Sequence, residues 1–194
     1  MNDIADEMRG FGIEVPSKRI NISIKDADKI FWDALDRLLV YMGEDPVHSD
    51  DYNGVIEWLT NNNRKGIILM GSVGRGKTLI ARFIIPLILN KVLGKTVSFH
   101  SMCKLNTLKD IQEVMKHKII VLDDLGVENI VNEYGNKIDA FSMIVDEAEK
   151  ENKLLIITTN LNKKLLLEKY KPRSYDRLMS MCKLVIFKNN SSLR

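Results

Sequence analysis

Gly66-Ile67-Ile68-Leu69-Met70-Gly71-Ser72-Val73-Gly74-Arg75-Gly76-Lys77-Thr78 runs from an unbroken apolar stretch into a glycine-rich turn closed by a lysine and a threonine. Consecutive apolar residues bounded by glycines have no polar face, which suits a strand buried on both sides of a parallel sheet. The segment from Gly71 to Thr78 matches G-x-x-x-x-G-K-[ST] at every fixed position. Glycines let the backbone curl so that the amides of Ser72, Val73, Gly74, Arg75 and Gly76 face one anion-sized hollow. A helix predicted from Gly76 to Leu93, bent at Pro86, begins at that hollow and adds its positive end. The expected ligands are ATP and Mg²⁺: Lys77 reaches the β- and γ-phosphates, Thr78 ligates the metal, and Leu79 completes the binding set.

Working downstream, Ile119-Ile120-Val121-Leu122 leads directly into Asp123-Asp124. An apolar strand ending in two carboxylates puts acid at the carboxyl edge of a sheet, beside the phosphate turn. Asp123 is then placed for the Mg²⁺ shell, and Asp124 for orienting the attacking water. Asn160 ends a further apolar run from Leu154. By pattern it fits a turn-forming residue and an amide on the γ-phosphate equally well.

Strands predicted at 96–101, 119–122, 154–158 and 184–187 alternate with helices at 105–116, 136–151, 165–170 and 174–181. That alternation predicts an α/β domain over 66–194, a five-stranded, mainly parallel sheet flanked by helices. Upstream, residues 1–65 read as a helical arm packed on or leading into that core. Apolar residues at helical spacing predict a helix over 27–42 and a shorter one over 52–60, while 1–26 reads as an irregular or loosely docked arm.

With 29 basic and 26 acidic residues in 194, the net charge of +3 excludes a polybasic coat. Two cysteines, Cys103 and Cys182, form no C-x-x-C pattern, so neither a disulfide framework nor a zinc site is expected. His48, His100 and His117 lie too far apart in sequence to suggest a metal centre. Residues 1–9 lack the apolar stretch of a signal peptide, and no apolar run approaches the ~18 residues of a membrane span, so a cytoplasmic protein is expected. Lys104, Lys109, Lys116 and Lys118 read as a solvated face, since no aromatics interleave with them.

Together, the phosphate turn, Asp123-Asp124-Leu125-Gly126, Thr158-Thr159-Asn160-Leu161 and Arg173-Ser174-Tyr175-Asp176-Arg177-Leu178 resemble the AAA+ P-loop ATPases. Within them the chain is most similar to the bacterial replicative helicase loaders of the DnaC and DnaI types and to the IstB-type transposition helpers. The resemblance implies a slow Mg²⁺-dependent ATPase acting in DNA replication, in transposition, or as a nucleotide-dependent switch. It implies a helicase or transposase partner, single-stranded DNA, and a homo-oligomer on activation. It makes Asp123 and Asp124 the Walker B pair and Asn160 a γ-phosphate sensor. Arg173 and Arg177, which by spacing alone form a solvated helix face, become candidates for an arginine delivered to a neighbouring subunit. Arg194, in Ser191-Ser192-Leu193-Arg194, becomes a second nucleotide sensor, where its position alone gives a frayed terminus.

Overall fold

The computed structural model describes residues 3–128, 131–133 and 136–188. In chain order the elements are α1 (Ile4–Gly10), α2 (Ala27–Met42), α3 (Asn53–Thr60), β1 (Gly66–Met70), α4 (Lys77–Leu79) and α5 (Ile85–Leu93). There follow β2 (Ser98–Ser101), α6 (Leu108–Met115), β3 (Ile119–Leu125), β4 (Val131–Glu133), β5 (Asn136–Ile138) and α7 (Ala140–Lys150). The chain continues through β6 (Leu154–Thr159), α8 (Lys163–Lys169), α9 (Pro172–Met181) and β7 (Cys182–Ile186).

Five strands form one parallel sheet in the order β2-β3-β6-β1-β7. The chain leaves β1 and crosses two positions before laying down β2, so β6 later slots between β1 and β3. Three carboxyl ends, those of β1, β6 and β3, therefore stand side by side.

Alternate residues of β1 feed separate cores, as a strand covered on both faces requires. Ile67 and Leu69 pack with α2, α3 and α5, whereas Ile68 and Met70 pack with α6, α7 and α9. Helix α6 starts on a reciprocal cap between Thr107 and Asp110, and α7 on the Asp139 side chain, which accepts from the Ser142 amide. Between α4 and α5 the helix widens into a π-turn at Ile80–Ile84. Pro86 lacks an N–H, and its ring would strike the carbonyl of Arg82 in a regular helix. The wider turn relieves both conflicts where the sequence predicts a simple bend.

The structure corrects three local expectations. Residues 3–26 are not wholly irregular, and their last part is firmly docked. Residues Ile4–Gly10 are helical, and Ile22 and Ile24 are buried in the β1–α2 core, with the Ile22 amide bonded to Asn62 Oδ1 at 2.8 Å. The helix expected over 136–151 begins only at Ala140, because 136–138 pair antiparallel with 131–133 as a hairpin. Finally, β3 runs through Asp123 and Asp124 rather than stopping before them.

Docking of α2 carries a stability consequence. Phe31 is fully buried beside Tyr52 and Trp32. Phe31→Ala is expected to cost about 3–5 kcal/mol in urea unfolding. A loss below ~1 kcal/mol would mean that this helix does not belong to the cooperative core.

Candidate nucleotide and metal site

The phosphate turn wraps the carboxyl end of β1 with Gly74 at φ +83° and Gly76 at φ +75°, a backbone region costly for any side chain. Lys77, the first residue of α4, is 5% exposed. Its Nζ donates to the Ser72 carbonyl and to Asn160 Oδ1, each at 2.8 Å. One contact closes the turn on itself; the other ties it to the end of the adjacent strand, β6. Burial pushes the Lys77 pKa down and Arg75 adds to this, while Asp124 and Asp123 oppose it. Arg75 also braces the turn, its Nε donating to Ser72 Oγ at 3.0 Å.

Asp123 is likewise buried, at 6% exposure. Its Oδ1 accepts from Thr78 Oγ1 at 2.9 Å and from Thr158 Oγ1 at 2.6 Å. Mg²⁺ takes oxygen ligands, few of them from protein, and keeps waters and phosphate oxygens as the rest. A hydroxyl on the phosphate turn already touching a buried carboxylate across the sheet is a donor set that fits that demand.

The strand register slips between Leu122 and Leu125, and Asp124 adopts φ +57°. That bulge turns Asp124 away from its neighbour and toward the turn, so the adjacent carboxylates face different surroundings. Burial raises the Asp124 pKa, as does the Asp123 charge, with Lys77 pulling the other way. A cavity of about 400 Å³ opens here, bordered by Val73, Gly74, Arg75, Gly76, Lys77, Thr78, Leu79, Asp124 and Asn160. Met42, at the end of α2, also borders it, so a residue from the amino-terminal arm reaches the site.

Sequence reasoning misses the residue that joins the two aspartates. Thr158 is fully buried on β6; its hydroxyl donates to Asp123 and accepts from the Asp124 amide at 2.8 Å. Thr158→Val keeps the shape but leaves that amide without its partner. It is expected to cost about 1–3 kcal/mol in urea unfolding and to weaken Mg²⁺-dependent nucleotide binding, with Thr158→Ser close to wild type. Equal losses in both variants would show that the methyl, not the hydroxyl, matters.

Glu128 is a second unforeseen part. It accepts from the Gly126 amide at 2.8 Å and from the Tyr170 hydroxyl, while Lys169 Nζ donates to the Gly126 carbonyl at 2.5 Å. Burial, then Glu128, raises the Tyr170 pKa. This knot pins the segment after Asp124 to α8, and no sequence signal marks partners so far apart. His100 and His117 also meet, with ring centroids 5.7 Å apart, which their separation in the sequence conceals.

Arg173 and Arg177 do not border the nucleotide cavity of their own chain. Arg173 is exposed on α9, whereas Arg177 is half-buried and ion-paired to Asp146 and, at 2.8 Å, to Glu149 of α7. Arg194 lies outside the described residues. Among the described residues no helix is long and apolar enough to cross a membrane.

The fold has well-defined relatives. A candidate primosome component from Streptococcus pyogenes serotype M3 aligns with a TM-score of 0.60 at 15% identity, covering 89% of this chain and 93% of that one. The structure of DnaI aligns at 0.53 with 22% identity, over 67% and 73%. The DnaC helicase loader aligns at 0.53 with 19% identity, over 86% and 93%. No curated protein matches the chain in sequence. A family model, described as Novel STAND NTPase 3, matches residues 47–191, about three quarters of the chain, from before α3 through the end of the sheet. The fold is that of an AAA+ P-loop ATPase resembling the DnaC and DnaI loaders, and the chain belongs to the Novel STAND NTPase 3 family.

Proposed function

We propose that this protein binds ATP with Mg²⁺, hydrolyses it slowly, and couples the cycle to remodelling of a DNA-replication assembly, as a helicase-loader-like factor. The observation that carries the proposal is the double tie across the sheet edge, Lys77 to Asn160 and Thr78 to Asp123. It gathers one ammonium, one amide, one hydroxyl and one carboxylate around the phosphate turn. In this reading residues 66–194 are the ATPase domain and residues 1–65 its arm.

Turn amides and Lys77 neutralise the triphosphate. Thr78 and Asp123 would hold the metal, which when bound adds Lewis-acid stabilisation of the phosphate oxygens. Asp124, with its raised pKa, takes up or orients the water proton, and Asn160 fixes the water against the γ-phosphate. Arg173, exposed and without the carboxylate partners that hold Arg177, is the better candidate to reach a neighbouring subunit's nucleotide in a homo-oligomer. Arg194 is kept as a second sensor on the resemblance alone. Helicase loading is preferred to transposition because the fold relatives named above are a primosome component and helicase loaders.

Phosphate release should be low for the protein alone and rise on adding a replicative helicase hexamer with single-stranded DNA. A pull-down from host lysate with ATP should recover replication proteins. Recovery of a transposase instead would move the proposal to the transposition helpers. Unstimulated hydrolysis with neither class recovered would remove it.

A further inference from the structure

A second cavity, of about 180 Å³, opens at the opposite edge of the sheet, where β1 and β6 begin. It lies a strand length, roughly 17 Å, from the phosphate turn. Arg19, Arg64, Lys65 and Lys153 line it, with Glu149 the one acidic side chain among them. Glu149 is already engaged by Arg177 Nε at 2.8 Å, so it cannot cancel this charge alone. A chain of net charge +3 thus gathers four cations around one hollow.

The cations arrive from three separate segments, each fixed by hydrogen bonds to the rest of the chain. Arg19 donates to Asn152 Oδ1 at 3.2 Å, and Asn152 Nδ2 in turn holds the Ser17 carbonyl at 2.6 Å. Arg64 sits at φ +58° in a turn fixed by Asn62, whose Oδ1 accepts the Arg64 amide at 3.1 Å. Lys153 follows Asn152, itself at φ +50°, and its Nζ rests on the Met115 carbonyl at 2.5 Å. Arg19, Arg64 and Lys65 are exposed, so their charged ends are available to a ligand lying across the opening.

We infer that this basic hollow at the amino edge of the sheet is a contact surface for the phosphodiester backbone of nucleic acid. Three of its four cations reach solvent at the rim, which suits an extended polyanion lying across them better than a small molecule held inside. Among the described residues no aromatic ring lines it, so bases would not be stacked or read and binding would be independent of sequence. The alternative groove beside β2 suits a phosphate chain poorly. There Arg82 and Lys104 share the lining with Asp110, Glu113 and Asp123, and Lys116 is paired to Glu113 at 2.5 Å. The inference does not depend on ATP hydrolysis and adds a location to the DNA partner proposed above.

The test is fluorescence anisotropy of full-length protein with a labelled oligothymidylate, from about 50 to about 200 mM salt. The three exposed cations predict a slope of log affinity against log salt of about −2, at about 0.7 per phosphate on a single strand. Arg19→Ala with Arg64→Ala should shrink the slope by about 1.4, equivalent to about 25-fold weaker binding at 0.1 M salt. ATP uptake by the same double variant should match wild type, which separates this outcome from failure of the nucleotide site. Lys104→Ala with Lys109→Ala should leave the slope unchanged. An unaltered slope in the first pair would overturn the inference. So would competition by inorganic phosphate at concentrations equal to those of oligonucleotide phosphate, which would assign a small-anion pocket.

Discussion

Lys77→Ala is expected to weaken ATP binding by about 2–5 kcal/mol, from roughly 30-fold to several thousand-fold. The size follows from burial. An ammonium 5% exposed, held between the Ser72 carbonyl and Asn160, would meet phosphate charge with little water to screen it. The empty protein should respond far less. Without nucleotide the lysine is a partly desolvated cation beside Arg75, and losing it removes an unfavourable burial together with two hydrogen bonds. Thermal melting distinguishes the two contributions. Wild type should melt at a temperature that climbs with ATP and Mg²⁺, by linkage of binding to folding. The variant should melt near the wild-type apo temperature and stay there as ATP is added. Undiminished affinity in the variant would remove the phosphate turn from nucleotide binding.

What the sequence makes legible and what it hides divide along a physical line. Gly71 to Thr78 and Ile119 to Asp124 are read because each is local: an apolar strand, then the residues at its end. Asn160 is ambiguous in the sequence because its partner is not local. Only the insertion of β6 between β1 and β3 brings its amide to Lys77. Thr158 is hidden for the same reason. A threonine in an apolar run reads as an ordinary strand residue until the neighbouring strand puts two aspartates around its hydroxyl. The bulge at Asp124 leaves no mark in periodicity, since one slipped residue is indistinguishable from a strand's end. Burial of Ile22 and Ile24 is missed because an isolated extended segment pairs with nothing in its own neighbourhood of sequence; its amides go to Asn62 and Leu59 instead.

Asp124→Asn should separate holding ATP from breaking it. Hydrolysis is expected to fall about 10²–10⁴-fold, the range for losing a positioned base, while ATP affinity stays equal or improves. In the proposed mechanism affinity is spared because Thr78 and Asp123, which touch each other, would hold the metal, and because one negative charge near the γ-phosphate is gone. Asp123→Asn should behave differently, weakening Mg²⁺-dependent binding itself. The raised Asp124 pKa gives two pH signatures. In wild type the base form is lost on acidification earlier than for an ordinary aspartate near ~3.9, so the acid limb of kcat/KM, which reports the free enzyme, lies above that value. Folding runs the opposite way. Between the unfolded value and the raised folded one, the native state holds the extra proton, so wild-type stability falls as pH rises through that window and then levels off. Asparagine carries no such proton, and above the window the variant should be the more stable protein while nearly inactive. If it also keeps its ATP-dependent complexes, nucleotide occupancy rather than turnover drives assembly. Wild-type hydrolysis by Asp124→Asn would place the water-activating group elsewhere and leave the strained backbone at residue 124 without a catalytic reason.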